Sequence, residues 1–193
     1  MTDPNFLVIG AMKAGTGWLW KMLGQHPDIY VSPKKEINYF NNQPNYEKGI
    51  EWYRSHFIGY KGEKAIGEFT PNYLQYIEDK SELDLYEGTY NVQQLIYEQY
   101  PDIKLIVSLR DPVDRAISAY YHHMRAGLFS PFRRFSEVSN IRGITNIGYY
   151  FSHLCEWMKY FRREQIMILI YEEDIVKNKK DTLQRLFQFL GVD

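Results

Sequence analysis

The sequence predicts a three-layer α/β fold, with a central parallel sheet and helices on both faces. Three observations carry that expectation. Short, mostly apolar runs recur at Phe6-Leu7-Val8-Ile9, Ile29-Tyr30-Val31, Ala65-Ile66-Gly67-Glu68-Phe69, residues 104–109 and residues 166–170. Apolar residues at helical spacing fill the segments between them. Strands that are apolar throughout, rather than alternating, are buried on both faces, as when helices cover a parallel sheet. The length of 193 residues fits one domain, 1–193, and 45% hydrophobic with 24% charged residues is ordinary for a globular chain.

The elements follow in order. After the first strand, Leu19, Met22 and Leu23 mark the inner face of a helix that stops before His26-Pro27-Asp28. Residues 29–31 form a short strand, and Ser32-Pro33-Lys34-Lys35-Glu36 a loop. Residues 46–57 have mixed helical spacing through Ile50, Tyr53 and Phe57, and 65–69 form the next strand. Residues 78–90 are acidic, poorly periodic and read as a surface loop. Val92, Leu95 and Ile96 give a short helix ended by Pro101, before the strand at 104–109. Asp111-Pro112 opens a helix, aspartate as N-cap and proline at the first position, and Gly127 stops it near Ala126. Residues 127–147, with Pro131, Gly143 and scattered arginines, read as a mobile loop. Residues 149–161 form a helix with Leu154, Trp157, Met158 and Phe161 on one side. The strand at 166–170 precedes a helix over 181–190, with Leu183, Leu186, Phe187 and Leu190 inward and Gly191 as its end. There is no internal repeat, low-complexity tract or linker.

Composition excludes several classes. The net charge of −1 gives no global attraction to nucleic acid, so any anion binding is local. The single cysteine, Cys155, leaves no intrachain disulfide and no cysteine metal set. No histidine or carboxylate cluster has ligand spacing, so no metal is expected. With no signal-like segment and no run long enough to span a membrane, the chain as given reads as cytoplasmic.

The densest chemical signal is Gly10-Ala11-Met12-Lys13-Ala14-Gly15-Thr16-Gly17-Trp18, between the first strand and its helix. Glycines admit close backbone approach, free N–H groups point at the ligand, and the helix dipole and Lys13 add positive charge. The ligand expected is a phosphate-type anion. A Walker A loop places lysine after its last glycine, whereas here Lys13 precedes Gly15-Thr16. On its own, the stretch is equally a glycine-rich turn with a solvated lysine.

The order Lys13-Ala14-Gly15-Thr16 resembles the 5′-phosphosulfate loop of sulfotransferases that use 3′-phosphoadenosine 5′-phosphosulfate (PAPS). That resemblance implies a P-loop-like fold and a 5′-phosphate held by Ala14, Gly15, Thr16 and Gly17. It also implies that Lys13 neutralises the leaving phosphate. Gly17 departs from the family, which usually offers a second hydroxyl there. Trp18 stands where cytosolic relatives stack adenine. Arg110, then Asp111-Pro112, with Ser118 eight residues on, resembles the family's 3′-phosphate grip. Such a grip distinguishes PAPS from ATP. Tyr171, in Tyr171-Glu172-Glu173-Asp174, matches a segment whose tyrosine touches the adenine edge.

Lys34-Lys35-Glu36-Ile37-Asn38-Tyr39-Phe40 resembles the base motif of the heparan sulfate N-deacetylase/N-sulfotransferase and 3-O-sulfotransferase type. Glu36 occupies the general-base position, although by itself it is a loop carboxylate neutralised by Lys34 and Lys35. Glu68-Phe69-Thr70-Pro71-Asn72-Tyr73 resembles a Glu-Lys-[Ser/Thr]-x-x-Tyr segment, with Phe69 in place of the lysine. His122, one helical turn beyond Ser118, matches a histidine near the reaction centre of N-sulfotransferases. His123 reads as structural or solvated, and His26, His56 and His153 as ordinary surface or core histidines. The resemblance implies sulfuryl transfer from PAPS, leaving PAP, to a hydroxyl or amine of a small molecule or glycan, without a metal. The family's basic nucleotide-closing segment lies beyond the matching region, and the chain stops at Asp193 without it. A non-catalytic 3′-phosphoadenosine nucleotide-binding module and a P-loop small-molecule kinase are the alternatives.

Overall fold

The computed structural model describes residues 2–77 and 91–193. The acidic stretch 78–90 lies outside the described residues. The strands are β1 (Phe6–Gly10), β2 (Ile29–Val31), β3 (Ala65–Phe69), β4 (Lys104–Leu109) and β5 (Ile166–Ile170). They form one sheet in the order β2-β3-β1-β4-β5, and every pair is parallel. The helices are α1 (Thr16–Leu23), α2 (Gln43–Tyr46), α3 (Ile50–Arg54), α4 (Val92–Gln99), α5 (Pro112–Arg125), α6 (Phe135–Val138), α7 (Tyr150–Met158) and α8 (Lys179–Leu190). The parallel three-layer expectation therefore holds.

Alternation along the strands divides the core. Leu7, Ile9, Ile66, Leu105 and Val107 pack on one face with Tyr53, Trp157 and Phe161. Phe6, Val8, Ala65, Phe69 and Ile106 pack on the other with Leu19, Leu23, Leu186 and Leu190. Each such fully buried side chain contributes roughly 1.5–3 kcal/mol. Parallel strands bring all their carboxyl ends to one edge. The chain leaves β1 to one side for β2 and β3, and to the other for β4 and β5, so the order reverses at β1. Ligands of open α/β sheets gather at that reversal.

Several local expectations need correction. Residues 127–147 are packed, not a mobile loop. They contain α6 and two short 3₁₀ turns, with Val138, Ile144 and Ile147 buried. Arg115, fully buried on α5, donates to the carbonyls of Gly143, at 3.2 Å, and Ile144. Scattered glycines and arginines concealed this because the anchor lies in another element. α7 ends at Met158 rather than 161, and Met158 is exposed while His153 is buried. His153 tolerates burial because its Nδ1 accepts from the Tyr76 amide at 3.1 Å, leaving Nε2 to donate to the Asn146 carbonyl at 2.9 Å. A wide π turn, Tyr171–Lys177, joins β5 to α8. There Asp174 accepts from the Ile170 amide at 2.6 Å and pairs with Arg185 at 2.7 Å. Among the described residues no helix is long and apolar enough to cross a membrane.

Candidate active site

The loop after β1 is anchored to β4 by the Ala11 amide, which donates to the Ser108 carbonyl at 2.8 Å. Lys13 and Gly15 take positive φ, 70° and 86°. Only glycine suits position 15, where a Cβ would lie 2.9 Å from both the Tyr171 ring and Ile175. Gly15 caps α1 with no side-chain hydrogen bond. The first-turn N–H groups thus have no side-chain acceptor and present the positive end of the helix. The Lys13 ammonium has a lowered pKa, first from partial burial, then from Arg125, Lys35 and Arg110, against which Glu36 acts. Cations gathered this closely repel one another, and a bound anion relieves that repulsion.

Arg110 leaves the carboxyl end of β4. Its Nη1 donates to the Lys13 carbonyl at 3.4 Å, and its guanidinium lies 5.0 Å from the Tyr171 ring centre. Tyr150 donates its hydroxyl to the Arg110 carbonyl at 2.7 Å. The Arg110 Nε is buried without a hydrogen-bond partner among the described residues. Asp111 caps α5 as expected, accepting from the amides of Val113 at 2.9 Å and Asp114 at 3.0 Å. Ser118 is half-buried further along that helix. Tyr171 thus packs between Gly15 and Arg110, while Trp18 lies partly buried against the second core face.

The third part of the site follows β2. Glu36 is exposed, in the left-handed region at φ 59°, and its amide donates to the Phe69 carbonyl at 2.8 Å. The Lys35 ammonium lies 3.4 Å from the Glu36 carboxylate. It also stands 3.7 Å from where a Cβ on Gly17 would be. His122 faces the same space from α5. Its imidazole is held below its ordinary pKa, first by partial burial of the ring and then by Lys13, with Arg125 and Lys35 in the same sense and Glu36 opposing. At pH 7 the ring is therefore neutral and able to accept a proton.

The structure thus brings Lys13, Arg110, Glu36 and His122 into one electrostatic neighbourhood. His123 points away, buried, with Nε2 3.3 Å from the Arg142 carbonyl. Phe69 is buried edge-on against Phe6 in the second core face, so position 69 offers no cation to the site. Two cations were missed. Arg125 is one turn beyond His122 on α5, a helical spacing that could have revealed it. No local signal relates Lys35 to Gly17. Among the described residues no group of three or more His, Cys, Asp or Glu side chains could hold a metal.

The sulfotransferase domain family matches residues 3–193, and the chain belongs to that family. It is 41% identical over 121 residues to the membrane-associated sulfotransferase kil1 of Dictyostelium discoideum, covering 61% of this chain and 22% of that protein. It is 29% identical over 200 residues to human heparan sulfate glucosamine 3-O-sulfotransferase 5, covering 98% of this chain and 54% of that protein. The chain spans about half, or less, of the length of these curated relatives. A sulfotransferase structure from Alicyclobacillus acidocaldarius superposes with a TM-score of 0.81 at 30% identity, covering 100% of this chain and 83% of that one. A mouse sulfotransferase complexed with PAP shares the fold, with a TM-score of 0.64 at 18% identity, covering 100% of this chain and 61% of that one.

Proposed function

We propose that this chain transfers a sulfuryl group from PAPS to a hydroxyl or amine acceptor, with a glycan as the favoured acceptor class. One observation carries the reading. The bare cradle of residues 13–17 and the buried, unpartnered Nε of Arg110 meet at the carboxyl ends of adjacent strands. An uncapped helix N-terminus and an unsatisfied guanidinium fit two phosphate groups of one nucleotide. The heparan sulfate relatives favour the glycan.

In this reading PAPS is a substrate, not a resident cofactor. Amides from Ala14 to Gly17 and the Thr16 hydroxyl hold the 5′-phosphate, and Arg110 with Ser118 holds the 3′-phosphate. Trp18 and Tyr171 flank the base. Lys35 is a second cation for the cradle, above the α-carbon of Gly17, where the usual hydroxyl is missing. Glu36 removes the acceptor proton as the acceptor oxygen or nitrogen bonds to sulfur. The bond from sulfur to the bridging oxygen breaks, and its electron pair stays on the 5′-phosphate of PAP. Lys13 neutralises that charge, so catalysis is positioning plus electrostatics. His122, neutral at pH 7, assists the base or hydrogen-bonds the sulfuryl group.

Thermal unfolding with added nucleotide tests this directly. PAP is expected to raise Tm, whereas ATP–Mg²⁺ is not. Stabilisation by ATP–Mg²⁺ alone would favour a kinase, and stabilisation by neither would overturn the reading. Transfer of labelled sulfate from PAPS to de-N-sulfated heparan then separates an enzyme from a nucleotide-binding module.

A further inference from the structure

Glu68 points from β3 into the first core face and is fully buried. Its carboxylate accepts from the hydroxyls of Thr70, of Tyr53 at 2.8 Å and of Tyr73 at 3.2 Å. Two of these hydroxyls are themselves acceptors for backbone. The Tyr73 oxygen accepts from the amides of Tyr39, at 3.1 Å, and Phe40, at 3.3 Å. The Thr70 oxygen accepts from the amide of Asn38 at 3.3 Å.

Those amides fix the direction of the hydroxyl protons. An oxygen already receiving backbone N–H groups must send its own proton elsewhere, and the acceptor at hand is Glu68. The carboxylate therefore terminates two chains that begin at the backbone of residues 38–40. Those residues continue directly from Glu36, and both Glu36 and Asn38 hold positive φ, at 59° and 54°. Non-glycine residues in that region persist where surrounding contacts over-determine them.

We infer that Glu68 is a positioning residue for the proposed base: through Thr70 and Tyr73 it fixes residues 38–40 and so holds Glu36 beside Lys13 and His122. This deepens the reading of Glu36 as the base and rests on it. Tyr53 supplies the built-in control, since its hydroxyl donates to Glu68 without a printed backbone contact to that loop. The titratable groups around the carboxyl are tyrosines, Tyr53 and Tyr73, with Tyr100 beyond them. No cation is among them to replace the hydroxyl protons.

The test needs no turnover, so it is separate from the test of the base itself. Glu36 raises the pKa of His122, opposing Lys13, Arg125 and Lys35, and the NMR titration of His122 therefore reports the placement of Glu36. First, Glu36→Gln calibrates the downward shift produced by losing that charge. Tyr73→Phe and Thr70→Val are expected to lower the His122 pKa in the same direction. They should also speed hydrogen exchange at the amides of residues 38–40 at least tenfold. Tyr53→Phe should do neither, Thr70→Ser should restore the parent values, and PAP should still raise Tm in all of them. Glu68→Gln should behave like Tyr73→Phe; should it not fold, the other variants decide the matter. Parent-like His122 titration and exchange in both Tyr73→Phe and Thr70→Val would overturn the inference. So would equal effects from Tyr53→Phe, which would reduce the network to general core stability.

Discussion

The cradle after β1 and the loop carrying Glu36 face one space, but they are held by opposite means. The cradle is contiguous in sequence, residues 10–18, and is shaped by backbone: positive φ at Lys13 and Gly15, an uncapped helix start and exposed charge. The Glu36 loop is held by side chains distant in sequence, since Tyr73 reaches the amides of Tyr39 and Phe40 across 34 and 33 residues. One region leaves its polar groups unsatisfied for a ligand. The other satisfies its own behind the loop. Donor recognition can thus be written in a short motif, whereas placement of the base depends on the packed core.

The largest expected effect falls on the loop side. Glu36→Gln should lower transfer from PAPS by roughly 10²–10⁴-fold, the usual contribution of a general base. PAP binding should be unchanged, because the change keeps shape outside the cradle. His122→Ala should cost less. If His122→Ala were the more damaging, the histidine would be the principal base and the division between the two regions would need redrawing.

On the cradle side, Lys13→Ala should lower kcat by roughly 10²–10³-fold and disturb PAPS binding less, because its contact strengthens as charge builds on the leaving oxygen. An unchanged kcat with a raised KM would make Lys13 a binding group only.

The buried network has its own signature in pH. Burial raises the Glu68 carboxyl from 4.5 to about 7, against the hydroxyls of Thr70, Tyr53 and Tyr73, which lower it. A carboxyl with a raised folded pKa favours folding when protonated. Its contribution is full below about pH 4.5 and is lost as pH rises through about 7. The parent should therefore lose roughly 3 kcal/mol relative to Glu68→Gln between pH 4.5 and 8, measured by denaturant midpoints. Parallel pH profiles for the two proteins would show that Glu68 ionises normally and that the network is more hydrated than its burial indicates.

Arg110→Ala should weaken PAP by roughly 1–3 kcal/mol, the value of a charge-assisted contact, and much less for adenosine 5′-phosphate, which lacks the 3′ group. Equal losses for both ligands would move Arg110 away from the 3′-phosphate. The smallest effect should come from Lys35→Ala, about 1 kcal/mol in PAP binding. That loss should shrink in a Gly17→Thr background, where a hydroxyl supplies the missing contact. Strict additivity of the two changes would show that Lys35 does not serve the cradle.

The sequence by itself determined the architecture and the donor side. Apolar strands alternating with amphipathic segments dictated a parallel sheet, because buried backbone must pair and two-sided apolar strands must be covered. Lys13, Gly15 and the Asp111-Pro112 cap were legible because turns and helix starts obey rules spanning a few residues. Tertiary structure decided the rest. It brought Lys35 beside Gly17, anchored residues 127–147 on Arg115 and buried His153 between two backbone groups. It also enclosed Glu68 among hydroxyls that grip the base loop. These are polar contacts between separate elements. Their partners are chosen by which groups burial leaves facing one another, and no spacing along the chain encodes that.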